Sequence, residues 1–176
     1  MNAPGERIIL AAGRHLQLVR QGHWEYADRT SAREAVALAA VTDEGELLLV
    51  EQYRIPVGRR VIELPAGLVG DIAGEEDERL ETAAGRELLE ETGYRAARLE
   101  LLTSGPPSAG MASEIVAFFL ASGLVKVHDG GGDEGEDITV HAVPLAGIED
   151  WLDRQGAAGL LIDPKIYAGL YFVGRR

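Results

Sequence analysis

The sequence predicts an α/β fold in a single chain of 176 residues, and three observations carry that prediction. The first third reads as short segments with alternating apolar positions, cut by Gly-containing turns. One stretch in the middle, starting at Glu75, changes to helical spacing and helix-forming residues. Strand-like segments then return, and the chain closes on two helical segments. No internal repeat and no linker divides it, and its length suffices for one hydrophobic core.

Taken in order, "RIILA", "HLQLVRQ" and "HWEYADR" are three short strands near the N-terminus. "EAVALAAVT" and "ELLLVEQYR" flank Asp43, Glu44 and Gly45, a turn signal that predicts a hairpin. "RRVIELPAG" is a further strand, stopped by Pro65 and Gly67. The helix from Glu75 places Leu80, Ala83, Ala84 and Leu88 on one core-facing stripe. Acids crowd its first turn, which favours the positive end of the helix dipole, and Gly93 stands where a C-terminal cap belongs. Gly85 costs about 1 kcal/mol against Ala inside a helix, which points to a close approach there. "RLELLTS" and "EIVAFFLA" are strands separated by the loop "GPPSAGMAS". "HDGGGDEGED" reads as a flexible acidic loop and "ITVHAVPL" as the strand after it. "AGIEDWLDRQ" and "DPKIYAGLYFV" are the closing helices, the second opened by Asp163 and Pro164.

Composition removes several functions. A formal charge of -12 repels a nucleic acid backbone, so no nucleic acid partner is expected. The same field repels a small phosphorylated molecule unless cations or arginines intervene. The absence of cysteine removes disulfides, zinc ribbons and thiol nucleophiles, and suits the cytoplasm. The first ten residues carry no signal-peptide pattern, and no apolar stretch approaches the length of a membrane span, so no membrane partner is expected. Gly130, Gly132 and Gly135 satisfy G-x-G-x-x-G, but they precede a strand instead of opening a helix, which rules against a dinucleotide fold. The four histidines have no zinc-ligand spacing.

The stretch "RELLEETGY" carries the chemistry. In a helix, Glu87, Glu90 and Glu91 stand at i, i+3 and i+4 and share one face. Three like charges repel there, and Arg86 can pair with Glu90 one turn on. A divalent cation compensates more. Oxygen ligands without His or Cys select Mg²⁺ or Mn²⁺ over zinc. On spacing alone, a solvated acidic face explains such a cluster more often than a metal does.

Context changes the balance. "ELPAG", then Glu78, then "RELLEETGY" resembles the Nudix hydrolase signature. The part from Arg86 to Gly93 matches fully, as does the seven-residue gap from Glu78, with Tyr94 in the final aliphatic place. Between Gly67 and Glu78 the chain carries "LVGDIAGEED", five residues longer than usual in the family, which reads as a loop insertion. Glu75, Glu76 and Glu78 are therefore all candidates for the glutamate of the first part. "LLLVEQYRIPVGRRVIELPAG", "TSGPPSAGMASEIVAFFLASGL" and "DEGEDITVHAVPL" are similar to the Nudix branch that splits ADP-ribose and other nucleoside diphosphate sugars.

The resemblance implies an α/β/α sandwich around a mixed β-sheet, with N-terminal antiparallel strands over residues 1–34 and a Nudix domain over 35–176. It implies Mg²⁺, or Mn²⁺, with two or more ions held by Glu87, Glu90, Glu91 and the carbonyl of Ala66. Such ions offset pyrophosphate charge and help generate a nucleophile from water. Glu91 and Arg86 belong to that catalytic set. The base is expected from the late acidic loop, at Glu134 or Glu136. Arg54 and Arg29 are expected on the phosphates, because the guanidinium fork matches their oxygens. Glu63 and Glu114 are expected to contact substrate or support the site, and Tyr26 or Trp24 to stack on the base. The implied reaction is hydrolysis of ADP-ribose to AMP and ribose 5-phosphate. GDP-mannose or a broader range of nucleotide sugars is the nearest alternative, and a nucleotide sensor without turnover is an alternative of another class. The N-terminal strands are expected to join two subunits in a homodimer.

Overall fold

The computed structural model describes residues 5–31, 34–72, 74, 76–132, 135 and 137–175. Three strands open the chain, β1 (Arg7–Ala12), β2 (Leu16–Gln21) and β3 (Trp24–Arg29), in an antiparallel sheet of that order. Gln21 pairs with Trp24, so Gly22 and His23 form a two-residue turn. Gly22 takes a left-handed φ of 63°, which a tight hairpin of this length demands.

The remaining strands form two four-stranded sheets, and both are mixed. One contains β4 (Glu34–Ala40), β7 (Ala66–Leu68), β8 (Tyr94–Gly105) and β9 (Ile115–Lys126), in the order β7-β4-β9-β8. Within it β4 and β9 run parallel. The other contains β5 (Glu46–Arg54), β6 (Arg59–Glu63), β10 (Thr139–Pro144) and β11 (Leu161–Ile162), in the order β10-β5-β6-β11, with β6 and β11 parallel.

Among the described residues three α-helices cover these sheets: α1 (Leu80–Thr92), α2 (Ile148–Ala157) and α3 (Lys165–Val173). Alternation along β4 shows how the layers form. Val36, Leu38 and Ala40 pack with Ala83, Ala84 and Leu88 of α1, together with Phe119 of β9. Ala39, on the opposite face, packs with Leu152 of α2 and Ile166 of α3. A strand buried on both faces reads as a continuous apolar run, which is what "AVALAA" is. The result is the α/β/α layering expected from the sequence, its mixed sheet divided in two.

Three sequence expectations need correction. The hairpin across residues 43–45 is only a turn: Val41 and Leu47 form a single antiparallel bridge. Beyond it β4 pairs with β7 and β9, whereas β5 pairs with β6 and β10, because the turn is where the chain crosses between sheets. The helix starts at Leu80 and not near Glu75. Glu78 is drawn off the helix by Arg86 and by the Gly70 N–H, which its carboxylate accepts. No close approach explains Gly85: a methyl there would stand 3.6 Å from Leu99 Cδ1, an ordinary contact. The short strands β7 and β11 were not foreseen, since two or three residues carry no periodicity.

The N-terminal sheet is seamed to the rest by one parallel bridge, Ala27 to Ala112. The Ala27 N–H donates to Met111 O and the Ser113 N–H to Ala27 O. Asp28 is buried beneath this seam and accepts hydrogen bonds from Ser113, Gln17 and Arg7. Among the described residues no helix is long and apolar enough to cross a membrane.

Because space is free at Gly85, Gly85→Ala should raise unfolding stability by about 0.5–1 kcal/mol in urea titrations. Destabilisation would show that the backbone there needs glycine.

Candidate active site

The site is assembled around the first residues of β7 and the acidic face of α1. Pairing with β4 places Ala66 opposite Ala37 and Gly67 opposite Val36, and so fixes the backbone that faces the helix. Gly67 is required by packing: a Cβ there would lie 1.8 Å from the Glu87 carboxyl carbon. The Glu87 carboxylate therefore lies directly against bare backbone. The Ala66 N–H donates to Glu91 Oε2 at 2.9 Å, and Glu91 is almost fully buried.

Arg86 ties this arrangement together. Its Nε and Nη2 donate to the two oxygens of Glu78, each at 3.1 Å. Nη2 also reaches Leu68 O at 3.0 Å, while Nη1 reaches Glu87 Oε1 at 2.8 Å and Glu90 Oε2 at 3.1 Å. Asp71 stands 3.5 Å away. The i, i+4 partnership with Glu90 expected from spacing is present. The Glu78 side chain is 2% exposed, so Glu78 is the glutamate ahead of the helix that serves the site. Hydrogen bonding to Arg86 holds its carboxyl below the usual carboxylate range, and the guanidinium is raised in turn, chiefly by Glu78. Glu87 behaves oppositely. Burial, with repulsion from Glu90 and Asp71, outweighs the pull of Arg86 and lifts its carboxyl to about 7.

These groups line a cleft of about 430 Å³. Arg29, Arg54, Glu63, Ala66, Glu87, Glu90, Glu91, Arg86 and Glu114 all border it, although they come from five separate stretches of chain. The cations are already engaged: Arg54 Nε lies 2.6 Å from Glu63 Oε2, and Arg29 Nε lies 2.6 Å from Glu114 Oε2. The second pair follows from the seam above. Parallel register from Ala27–Ala112 brings Asp28 beside Ser113 and Arg29 beside Glu114. Glu114, immediately ahead of β9, borders the same cleft as Val116.

Asp71, Pro107 and Lys165 also border the cleft and were not foreseen. Asp71 lies in the inserted stretch, and Lys165 opens α3 beside Asp163, with which it pairs. Neither belongs to a local pattern that would single it out. Tyr26 is not brought into this cleft. It lines a separate cavity of about 620 Å³ with Trp24 and the 109–113 loop. Glu134 and Glu136 lie outside the described residues.

Among the described residues no set of three His, Asp or Glu side chains stands arranged as a metal site, and Arg86 occupies the centre of the carboxylates. The donor set nevertheless suits a hard divalent cation. It offers oxygen alone, and it holds Glu87, a carboxyl that needs a further positive charge to ionise fully at neutral pH.

A family model described as NUDIX domain matches residues 32–162. The chain belongs to the Nudix family. An ADP-ribose pyrophosphatase from Bacillus subtilis (strain 168) is 44% identical over 112 residues, 63% of this chain and 58% of that one. A methanol dehydrogenase activator from Bacillus methanolicus is 41% identical over 124 residues, 66% of this chain and 64% of that one. The aligned region thus spans less than two thirds of either relative. A crystal structure titled ADP compounds hydrolase superposes with a TM-score of 0.73 at 22% identity, covering 98% of this chain and 92% of that one. This Nudix match contains the whole acidic face of α1 and stops before Lys165.

If Glu87 is a ligand of a divalent cation, affinity for that cation should follow the proton on Glu87. Below about pH 7 the carboxyl is protonated before metal binds, so affinity falls by up to about tenfold per unit there and levels off above. Calorimetric titration of Mg²⁺ at about pH 6, 7 and 8 tests this; a flat profile would remove Glu87 from the ligand set.

Proposed function

We propose that the protein hydrolyses the pyrophosphate bond of a nucleoside diphosphate sugar, with ADP-ribose first, giving AMP and ribose 5-phosphate. The observation that carries this reading is the meeting of Arg86, Glu87, Glu90 and Glu91 with two further arginines in one cleft. The name of the Bacillus subtilis relative supports the substrate.

Glu87, Glu90, Glu91 and the Ala66 carbonyl would hold Mg²⁺, or Mn²⁺, as two or more ions. When bound, these would offset phosphate charge and polarise the phosphorus under attack. The chain's own groups do the rest. Arg54 and Arg29 exchange their carboxylates for phosphate oxygens, which leaves Glu63 and Glu114 to accept from sugar hydroxyls. Lys165, which also borders the cleft, adds a further cation. Arg86, braced by Glu78, keeps Glu87 and Glu90 oriented. Glu134 or Glu136 takes the proton of the attacking water. The net acidity of the protein then falls on the metal's side of the balance.

A homodimer through the N-terminal strands, and cytoplasmic residence, complete the proposal. Ile9, Leu16 and Trp24 are each at least half exposed on that sheet, an apolar surface of the kind that a second subunit covers. Scattering in solution should give twice the chain mass; a monomer with full activity refutes the dimer.

A second reading is favoured by one observation: a relative of similar identity is named an activator of another enzyme. In that reading the domain binds a nucleotide and acts on a partner protein. One experiment separates the two. With ADP-ribose and Mg²⁺, AMP should appear and EDTA should stop it. Glu91→Gln should lower kcat by more than about 100-fold with the fold retained. Undiminished turnover in that variant sinks the assignment of α1, and a panel including GDP-mannose ranks substrates by kcat/KM.

A further inference from the structure

The acidic stretch ahead of β10 is held at both ends, and the downstream anchor lies outside the Nudix signature. Upstream, the Gly131 N–H donates to Glu91 O at 2.9 Å and the Gly132 N–H to Glu90 O at 3.0 Å. These are carbonyls at the C-terminal end of α1, from the residues whose carboxylates face the cleft. The approach demands glycine. Residues 130, 131 and 132 all have positive φ, at 72°, 113° and 79°. A Cβ at Gly130 would lie 2.6 Å from Glu91 O, and one at Gly93 would lie 2.1 Å from His128 O. The start of this loop is therefore packed on the helix end, which corrects the flexible reading for residues 128–132.

Downstream, Arg60 of β6 donates through Nη1 to Asp137 Oδ2 at 2.8 Å. Its Nε is bound by Glu51, whose other oxygen lies 3.0 Å from His141 Nε2. His141 in turn meets the Trp151 ring edge-on at 5.3 Å. An isolated exposed ion pair does little. Here the guanidinium is already immobilised by Glu51, so Asp137 meets a preset fork. Five peptide steps separate Gly132 from Asp137, a reach of at most about 18 Å. Glu134 and Glu136 lie inside that span of sequence.

We propose that Arg60 is a positioning residue for the catalytic base: with Glu51 and His141 behind it, it fixes Asp137 while α1 fixes Gly131 and Gly132. This rests on the reading that the acidic stretch supplies the base. The test uses Arg60→Ala, Arg60→Lys and Asp137→Ala in the full chain. Asp137 has an 84% exposed side chain, so its loss leaves the fold intact. Hydrogen exchange at Asp137 and Ile138 should quicken in both alanine variants and stay near wild type at Gly131 and Gly132. With ADP-ribose and Mg²⁺, kcat should fall roughly tenfold while KM moves less than about twofold. The double alanine variant should be no worse than either single one, and Arg60→Lys should recover part of the loss. Unchanged exchange, additive losses, or faster exchange with full kcat would each overturn the proposal. Failure of the underlying reading looks different: Glu134→Gln and Glu136→Gln would both keep full turnover, while exchange would still report whether Arg60 anchors Asp137.

Discussion

One guanidinium organises the site. Arg86 donates to both oxygens of Glu78, to the Leu68 carbonyl, and to Glu87 and Glu90, and so joins α1 to β7 and to the inserted loop. A planar fork with five donors can hold several acceptors in fixed directions, and an ammonium cannot. Yet one positive charge stands among Asp71, Glu78, Glu87, Glu90 and Glu91. The cluster is left strongly negative, and burial together with repulsion from Glu90 and Asp71 raises the pKa of Glu87. The same arrangement that holds the helix to the strand creates the demand for further cations.

The scaffold serves this cluster through β4. Its two buried faces join the helical layers, and its edge fixes Ala66 and Gly67 against α1. Glycine at 67 is a condition of the geometry, since any side chain would occupy the volume of the Glu87 carboxyl. Around the cleft each arginine comes paired with an acid. The site therefore meets an anion by exchanging partners, with charges that are already oriented and partly desolvated.

The second organising feature is the end of α1. Gly93 caps the helix in the left-handed region and lets the strand exit of β9 pack on it, with the Val127 N–H donating to Gly93 O. Two residues of the glycine run then take the next carbonyls. Helix ends leave such carbonyls without partners inside the helix, and here they anchor the acidic stretch instead of water.

Much of this was legible in the chain itself. The run Arg86 to Gly93 determined a helix with three carboxylates on one face, an i, i+4 partner and a terminal cap, because all of these follow from helical period and from glycine's access to positive φ. The apolar run of β4 likewise marked a strand, but its burial on both faces came only with the fold. What only the tertiary structure decided were the long-range meetings: Glu78 beside Arg86, Arg29 beside Glu114, Lys165 at the cleft, and β4 and β5 parting into different sheets. Those depend on which strands pair and in what register, and register is settled by the whole core at once, not by any local pattern of residues.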